Sequence, residues 1–535
     1  MLASSWKRTL WAALPLLGMG LGGLASGGAA AAEPKTLILV PHADLKFLDP
    51  LAAAATITIM HSTNIYDSLF GWDPTLAPKP QMVESYTISG DKLTYTFTLR
   101  PGLKFHTGEA VTTKDVIKSL DRWMKRDLIG RKLAEFTQEM KPVDDKTFTI
   151  RLKEAYSWVE YSLGNHAGNF PAIMREKEAS TDPFTVLTES IGSGPYKFAK
   201  DEWQPGSKVV YLKNTDYVPR SDPPNGMAGA KIVKVDRLEY KIITDQQTQM
   251  QAIIRGEVDM LDMFSGDLIP LLQKQPDIVV AKVPPVANFG FIRPNALQPP
   301  FNNIKARQAL ALVVDQKEFL QVFAGPDPSW GKPCYAFYLC GATYGTELGS
   351  EAYQKRDIEK AKRLFKEAGY NGEKVVVLNS TEVPQIGAIM LATAAALKLA
   401  GVNAELETTD WGTMLTKALQ NKKPVAEGGW SVWGATGSWS TWHNPLTNLG
   451  TNMATDASAW GGWAADEEVE KLRNEFIRAP DMPTRLKVAE VLHKRLWDVV
   501  PYVPTGMFDS PYAWRKNISG VLPTSKLVLW NIAKD

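Results

Sequence analysis

Leu93, Tyr95, Phe97 and Leu99 alternate with Thr94, Thr96, Thr98 and Arg100. This period of two predicts a strand with one face buried. Phe148, Ile150 and Leu152 repeat the pattern against Thr147, Thr149 and Arg151, giving a second two-sided strand able to pair with the first. Between them Pro101-Gly102 signals a turn. Thr112 or Thr113 then caps a helix that carries Val116, Leu120 and Trp123 on one side, with Asp115 placed for a capping box. Residues 36–40 are a short continuous apolar run, which reads as a fully buried strand, and a helix is expected from about 55 to 69.

Helical spacing takes over later in the chain. Met250 to Gly256 predicts a helix stopped by glycine, followed by a short strand with Val258, Met260 and Leu261. Ala306, Ala309, Leu310 and Val313 make one stripe over 304–314. Asp357 caps a helix with Ala361, Leu364, Phe365 and Ala368, and helix 386–400 precedes a strand at 402–408. A further helix is expected over 486–500. The order of strands and helices is that of an α/β fold.

The N-terminus has a different pattern. Lys7 and Arg8, the apolar run Leu10–Leu24 and Ala30-Ala31-Ala32 read as a cleaved export signal over residues 1–32. No cysteine lies near the cleavage point, so no lipid anchor is expected. The 535 residues carry 60 Lys and Arg against 58 Asp and Glu. Two of the bases fall in the leader, so the remainder is balanced and offers nothing to nucleic acid. Its length implies two or three domains.

Only Cys334 and Cys340 are present. In an oxidising compartment they read as a local disulfide, with two free thiols as the alternative. Six histidines lack metal-ligand spacing and are read as surface or internally satisfied rings; no metal or cofactor is expected. Serine-nucleophile and phosphate-loop motifs are missing, although a dispersed Ser-His-Asp set would leave no local signature.

Seven of the 17 Trp fall between 411 and 463. Over 428–442 they alternate with Gly, Ser and Thr without periodicity after Trp433. This predicts loops whose rings suit an adaptable ligand pocket.

The block 90–123 resembles the signature of the family 5 extracellular solute-binding proteins, the dipeptide, oligopeptide and nickel receptors of bacterial ABC importers. So do Asp49-Pro50 with Tyr66–Phe70, the Gly192-Ser-Gly-Pro-Tyr196 stretch, Met250–Asp262, Asn288–Asn295 and Pro501–Pro504. The resemblance implies a two-lobe periplasmic binding protein fold, the type II Venus-flytrap, with an inserted β-rich subdomain. It divides the chain into a first lobe of 33–69, 191–287 and 505–535, an insert of 70–190 and a second lobe of 288–504. It also implies a periplasmic monomer that closes on a small organic or peptide-like ligand and delivers it to a membrane permease. Trp430, Trp433, Trp411, Asn288, Phe289, Glu382 and Thr56 are the binding residues it suggests.

Two positions depart from the peptide-binding pattern. Trp433 stands where an Asp pairs with the ligand amine, and the stretch around Ser380 lacks an Arg for the ligand carboxylate. A buried ionic terminus without its partner is costly, so the ligand is expected to be apolar or aromatic rather than a zwitterionic dipeptide. The 90–123 block is expected to lie away from the groups that choose the ligand. An exported hydrolase and a periplasmic chaperone or signalling receptor remain the other readings.

Overall fold

The computed structural model describes residues 34–325, 327–380, 383–455 and 460–535. The leader over 1–32 and Glu382 lie outside the described residues.

Two large sheets organise the chain. The first has seven strands in the order Ile278–Lys282, Pro511–Arg515, Met260–Leu261, Thr36–Val40, Arg237–Lys241, Lys208–Lys213 and Tyr196–Phe198. Thr36–Val40 runs parallel to both of its neighbours. The second has six strands in the order Gly331–Lys332, Val503–Phe508, Asn288–Pro294, Val432–Gly437, Val375–Ser380 and Ala404–Thr409. Every residue of Val375–Ser380 is buried, as a parallel strand covered on both faces requires. The strand after Gly256 forms as the sequence predicts: this glycine, at φ 75°, ends helix Gln246–Arg255 in the left-handed region that side chains avoid.

A four-stranded antiparallel sheet, Val83–Ile88, Thr94–Leu99, Thr147–Leu152 and Thr137–Pro142, stands apart from both. The pairing of the two alternating strands is as expected, with Thr94 opposite Arg151 and Phe97 opposite Phe148. Tyr95, Phe97 and Leu99 face inward. Helix Thr113–Met124 covers them and begins with a complete capping box, in which Thr112 N donates to Asp115 Oδ2 at 2.8 Å. The first helix is shorter than expected, Thr56–Ile65.

The chain crosses between the large sheets twice, side by side. Lys282 pairs with Pro511 at the end of one sheet, and Asn288 pairs with Phe508 at the start of the other. Asn288 Nδ2 donates across the two crossings to Ser510 Oγ at 3.0 Å. The disulfide Cys334–Cys340 forms, with Cα atoms 5.8 Å apart.

The segment 428–442 corrects the loop expectation. Val432–Gly437 is a strand of the second sheet, between Asn288–Pro294 and Val375–Ser380, and Trp439–Trp442 is a helical turn. The sequence hides this strand because its glycines make room for neighbours. A Cβ on Gly434 would sit 2.6 Å from Phe291 O, and one on Gly437 would sit 2.4 Å from a Phe289 ring carbon.

The apolar core is shared unevenly. One cluster joins the four-stranded sheet and its helices to the second lobe, while two others lie within the first lobe. Trp158 makes the junction, with its ring 5.5 Å from Phe476 and 6.4 Å from Tyr344.

Candidate functional site

Parallel strands point their carboxyl ends the same way, and in open α/β sheets the crevice beyond those ends holds ligands. In the first sheet Thr36–Val40 and Met260–Leu261 are parallel neighbours, so His42 and Asp262 emerge together. In the second sheet Val375–Ser380 runs parallel to Val432–Gly437, so the two strands point their carboxyl ends the same way. Asn288, at the first crossing, opens the strand paired with Gly437 through Phe289. The crossings therefore sit beside the same ends.

The first-lobe wall is rich in buried charge. His42 Nδ1 lies 2.6 Å from Asp262 Oδ2, while Asp262 Oδ1 is buried with no partner among the described residues. Lys526 is buried, forms no ion pair or side-chain hydrogen bond among the described residues, and follows Ser525, whose hydroxyl is also unpartnered. Burial pushes the Lys526 ammonium down to about 8, against the opposing pull of Asp262. Deeper in the lobe, Asp67 is fully engaged. It receives Lys231 Nζ at 2.7 Å and Tyr217 Oη at 2.9 Å, with Arg100 at 3.8 Å.

The second-lobe wall meets the inserted subdomain. Tyr161 Oη lies 3.1 Å from His443 Nε2, and Asn444 Nδ2 lies 2.8 Å from the same nitrogen. Both can donate, which assigns the His443 proton to Nδ1. Burial holds this ring down to about 4, so it is neutral at pH 7, with the Ser440 and Trp439 carbonyls pulling weakly the other way. Trp72 stacks on Tyr161 at 4.6 Å, and its ring is 6.4 Å from His443 and 6.0 Å from His166. His166 Nδ1 is bonded to Gly164 O, which leaves Nε2 a buried acceptor without a donor. Thr441 Oγ1 donates to Ala167 O at 3.3 Å, and Arg478 pairs with Glu154 at 3.2 Å at the rim. The indole N–H groups of Trp433 and Trp439 are likewise buried without a partner among the described residues.

The residues suggested by sequence are scattered relative to this crevice. Trp430 is fully buried, donates Nε1 to Asn421 O at 3.1 Å and packs on Trp463. Trp433 packs on Phe291 and Trp460, and Phe289 packs on Trp442. These rings form the floor of the second lobe beneath the crevice. Trp411 opens helix Trp411–Gln420, beside an open groove of about 770 Å³ lined by Asp410, Thr413, Lys417 and Asn421. Asn288 is engaged at the crossing, and Thr56 starts the first helix, partly buried.

The histidine expectation holds for His61, bonded on both nitrogens by Tyr211 and Ser190, and for His493, bonded to Ala489 O and Phe337 N. His166 differs: its Nε2 is buried without a partner among the described residues. The insert's segment 158–167 faces the second lobe directly, even though the 90–123 block that precedes it does not provide these contacts. His42, Tyr161, His166, Asp262, His443 and Lys526 were missed by sequence reasoning. The predicted strand ending at Leu261 was the available signal, since the residue after a parallel strand borders the crevice.

The family described as "Bacterial extracellular solute-binding proteins, family 5 Middle" matches residues 77–448. A protein of Sinorhizobium fredii (strain NBRC 101917 / NGR234), named a probable peptide ABC transporter periplasmic-binding protein, is 38% identical over 508 residues, covering 94% of each chain. The glutathione-binding protein GsiB of Salmonella typhimurium is 25% identical over 512 residues, covering 93% of this chain and 94% of its own. Among solved structures, the A. tumefaciens R10 binding protein AgaA in complex with agropinic acid superposes with a TM-score of 0.77 at 22% identity, covering 94% of this chain and 99% of its own. That likeness places the fold among two-lobe periplasmic binding proteins.

Proposed function

The chain belongs to the family 5 bacterial extracellular solute-binding proteins, the periplasmic capture component of ABC import, and on that premise we propose that it takes a small peptide-like ligand in the crevice between its lobes. The observation that carries this reading is the set of unpartnered buried polar atoms on both walls. Asp262 Oδ1 and His166 Nε2 stand on one side, and the Trp433 and Trp439 indole N–H groups on the other, all without a partner among the described residues. Buried polar groups are almost always bonded, so unpartnered atoms on both walls offer places for a ligand's own donors and acceptors. The names of the relatives, one a peptide receptor and one a glutathione receptor, support the peptide-like class.

Capture works by closure. Ligand contacts to both walls favour the form in which Tyr161 reaches His443, and the shift is limited by the ligand's differential affinity for the open and closed forms. The leader 1–32 is removed on export, the mature protein is monomeric, and the lobes are divided by the crossings near 283–287 and 509–510, with 70–190 inserted in the first.

Native mass spectrometry of protein purified from the periplasm tests the reading. A retained peptide-like molecule, chemically unchanged after incubation, together with a rise in melting temperature when it is added back, is the expected result. Failure of any peptide-like compound to shift the melting temperature or the tryptophan emission would overturn it.

A further inference from the structure

We propose that the Cys334–Cys340 disulfide is a thiol-exchange site, attacked at Cys340 by a small anionic thiol that enters from a cavity between the two crossings. The inference does not depend on the identity of the captured ligand.

The two sulfurs are unequally placed. Cys334 is 1% exposed and belongs to the core that includes the second lobe. Gln316, itself buried, holds it on both sides: Nε2 donates to Cys334 O at 2.9 Å and to Pro504 O at 3.0 Å, and Oε1 accepts from Cys334 N at 2.6 Å. Cys340 is only partly buried and lines a cavity of about 600 Å³. The first crossing, 284–287, forms part of the cavity wall, together with Met507 and Asp509 at the second. Beside Cys340 a Cβ on Gly341 would meet nothing within 4 Å. A cavity of this size admits a small molecule, and a thiolate inside it meets Cys340 Sγ rather than the buried Cys334.

The polar groups around the pair set the direction of cleavage. Cys340 N donates to Cys334 Sγ at 3.0 Å. A hydrogen bond to a sulfur stabilises its thiolate, and the sulfur with the more stable thiolate leaves faster. Glu347 Oε1 lies 3.5 Å from Cys340 Sγ and accepts from Tyr335 N at 2.8 Å. Its charge opposes a thiolate on Cys340, so negative charge gathers on Cys334. The cavity's own charges favour an anion on the incoming molecule. Lys282 is paired with Asp509 at 2.5 Å, Lys332 forms no ion pair among the described residues, and Glu347 stands outside the lining.

The step balances with the thiol as the reductant. The attacking thiol gives its proton to solvent, its sulfur bonds to Cys340 Sγ, and the Cys334–Cys340 bond breaks with its electron pair leaving on Cys334, which takes up a proton. A second thiol attacks the mixed disulfide, releasing the small molecule's own symmetrical disulfide and a reduced Cys340. Between the two steps the adduct occupies the space between the crossings, while Gln316 keeps Cys334 in the core.

The test incubates the full protein with 2-mercaptoethanesulfonate or the neutral 2-mercaptoethanol, quenches with acid and maps the modified cysteine by mass spectrometry. The expected result is a mixed disulfide on Cys340, formed while the protein keeps its melting transition. Lys332→Glu should slow the sulfonate by about fivefold, the upper scale of an exposed charge pair, and leave the neutral thiol unchanged. The single variants guard against rapid reclosure. With the symmetrical disulfide of the sulfonate, folded Cys334→Ser should be modified at Cys340 at least about tenfold faster than folded Cys340→Ser is at Cys334. Exchange that occurs only in denatured protein, an adduct on Cys334, or equal rates in the two variants overturns the site. Equal slowing of both thiols by Lys332→Glu, or of neither, overturns the preference for an anion.

Discussion

Lys231 and Lys526 lie in the same lobe at 1% and 5% exposure, but their surroundings differ completely. Lys231 is 2.7 Å from Asp67, which is also held by Tyr217 and approached by Arg100, and its ammonium sits 4.8 Å above the Trp530 ring. Lys526, only four residues from that same tryptophan, has no such partner among the described residues. Arg293 in the second lobe shows a third arrangement. It is fully buried without an acid in ion-pair contact among the described residues, but it donates to the carbonyls of Gly461, Gly450 and Trp460 and lies 4.9 Å over the Trp460 ring. Two of these cations are structural, because the protein itself completes their bonding. The third has no counter-charge in ion-pair contact among the described residues, and a buried charge left so costs stability.

The largest expected effect comes from removing a partner where bonding is complete. Asp67→Ala leaves Lys231 buried and uncompensated, and should lower stability by about 3–5 kcal/mol in urea denaturation. The same network sets an acid limit. Burial pushes the Asp67 carboxyl up, but Lys231 and Arg100 together pull it down further, below its ordinary 3.8. Its contribution is therefore present above the unfolded value and is lost as pH falls below about 4, through the lowered folded value. The acid-unfolding curve of Asp67→Ala should be flatter there than that of the parent.

Lys526→Met should act with the opposite sign. The folded-state value of about 8 lies below the ordinary 10.5, so the unfolded chain binds this proton more tightly. The penalty is complete below pH 8 and is relieved as pH rises to 10.5. The variant should be more stable than the parent at pH 7 by roughly 3 kcal/mol, with the gap closing across that window. Lower stability for the variant at pH 7 would place Lys526 among the scaffold cations after all.

Tyr161→Phe removes the interlobe hydrogen bonds that this hydroxyl makes with His443 Nε2 and accepts from Asn444 Nδ2, a net loss of about 1 kcal/mol. Affinity for a bound tripeptide, measured by calorimetry, should fall about fivefold while global stability changes little. Thr112→Ala has the smallest effect on function. It opens the capping box, lowers stability by about 1 kcal/mol and should leave affinity unchanged. A loss of affinity there would mean that the four-stranded sheet helps to choose the ligand.

Elements built by side-chain periodicity were readable in the sequence. Tyr95, Phe97 and Leu99 face the core as their spacing predicts, and Asp115 closes the predicted cap. The strand Val432–Gly437 was not readable, because Gly434 and Gly437 replace alternating side chains with close backbone packing. The tryptophan concentration located the second-lobe floor but drew attention from the polar groups above it. His42, His166, Asp262, His443 and Lys526 come from five separate segments. Nothing local links them, and only the tertiary topology of the two mixed sheets and the insert sets their positions.

Trp330 follows the second lobe's helix Gln316–Phe323, yet it is 4% exposed among Val40, Phe264, Leu272 and Ala513 of the first lobe, with Lys282 5.1 Å over its ring. A large ring lodged in the opposite lobe's interior acts as a peg beside the two crossings. Any widening of the crevice is then a rotation about that peg, with an arc that grows toward the rim. A pair of spin labels flanking Trp330 would keep one separation throughout. A pair at Glu154 and Arg478 would sweep the full swing, which gives the molecule an internal ruler for use as a sensor.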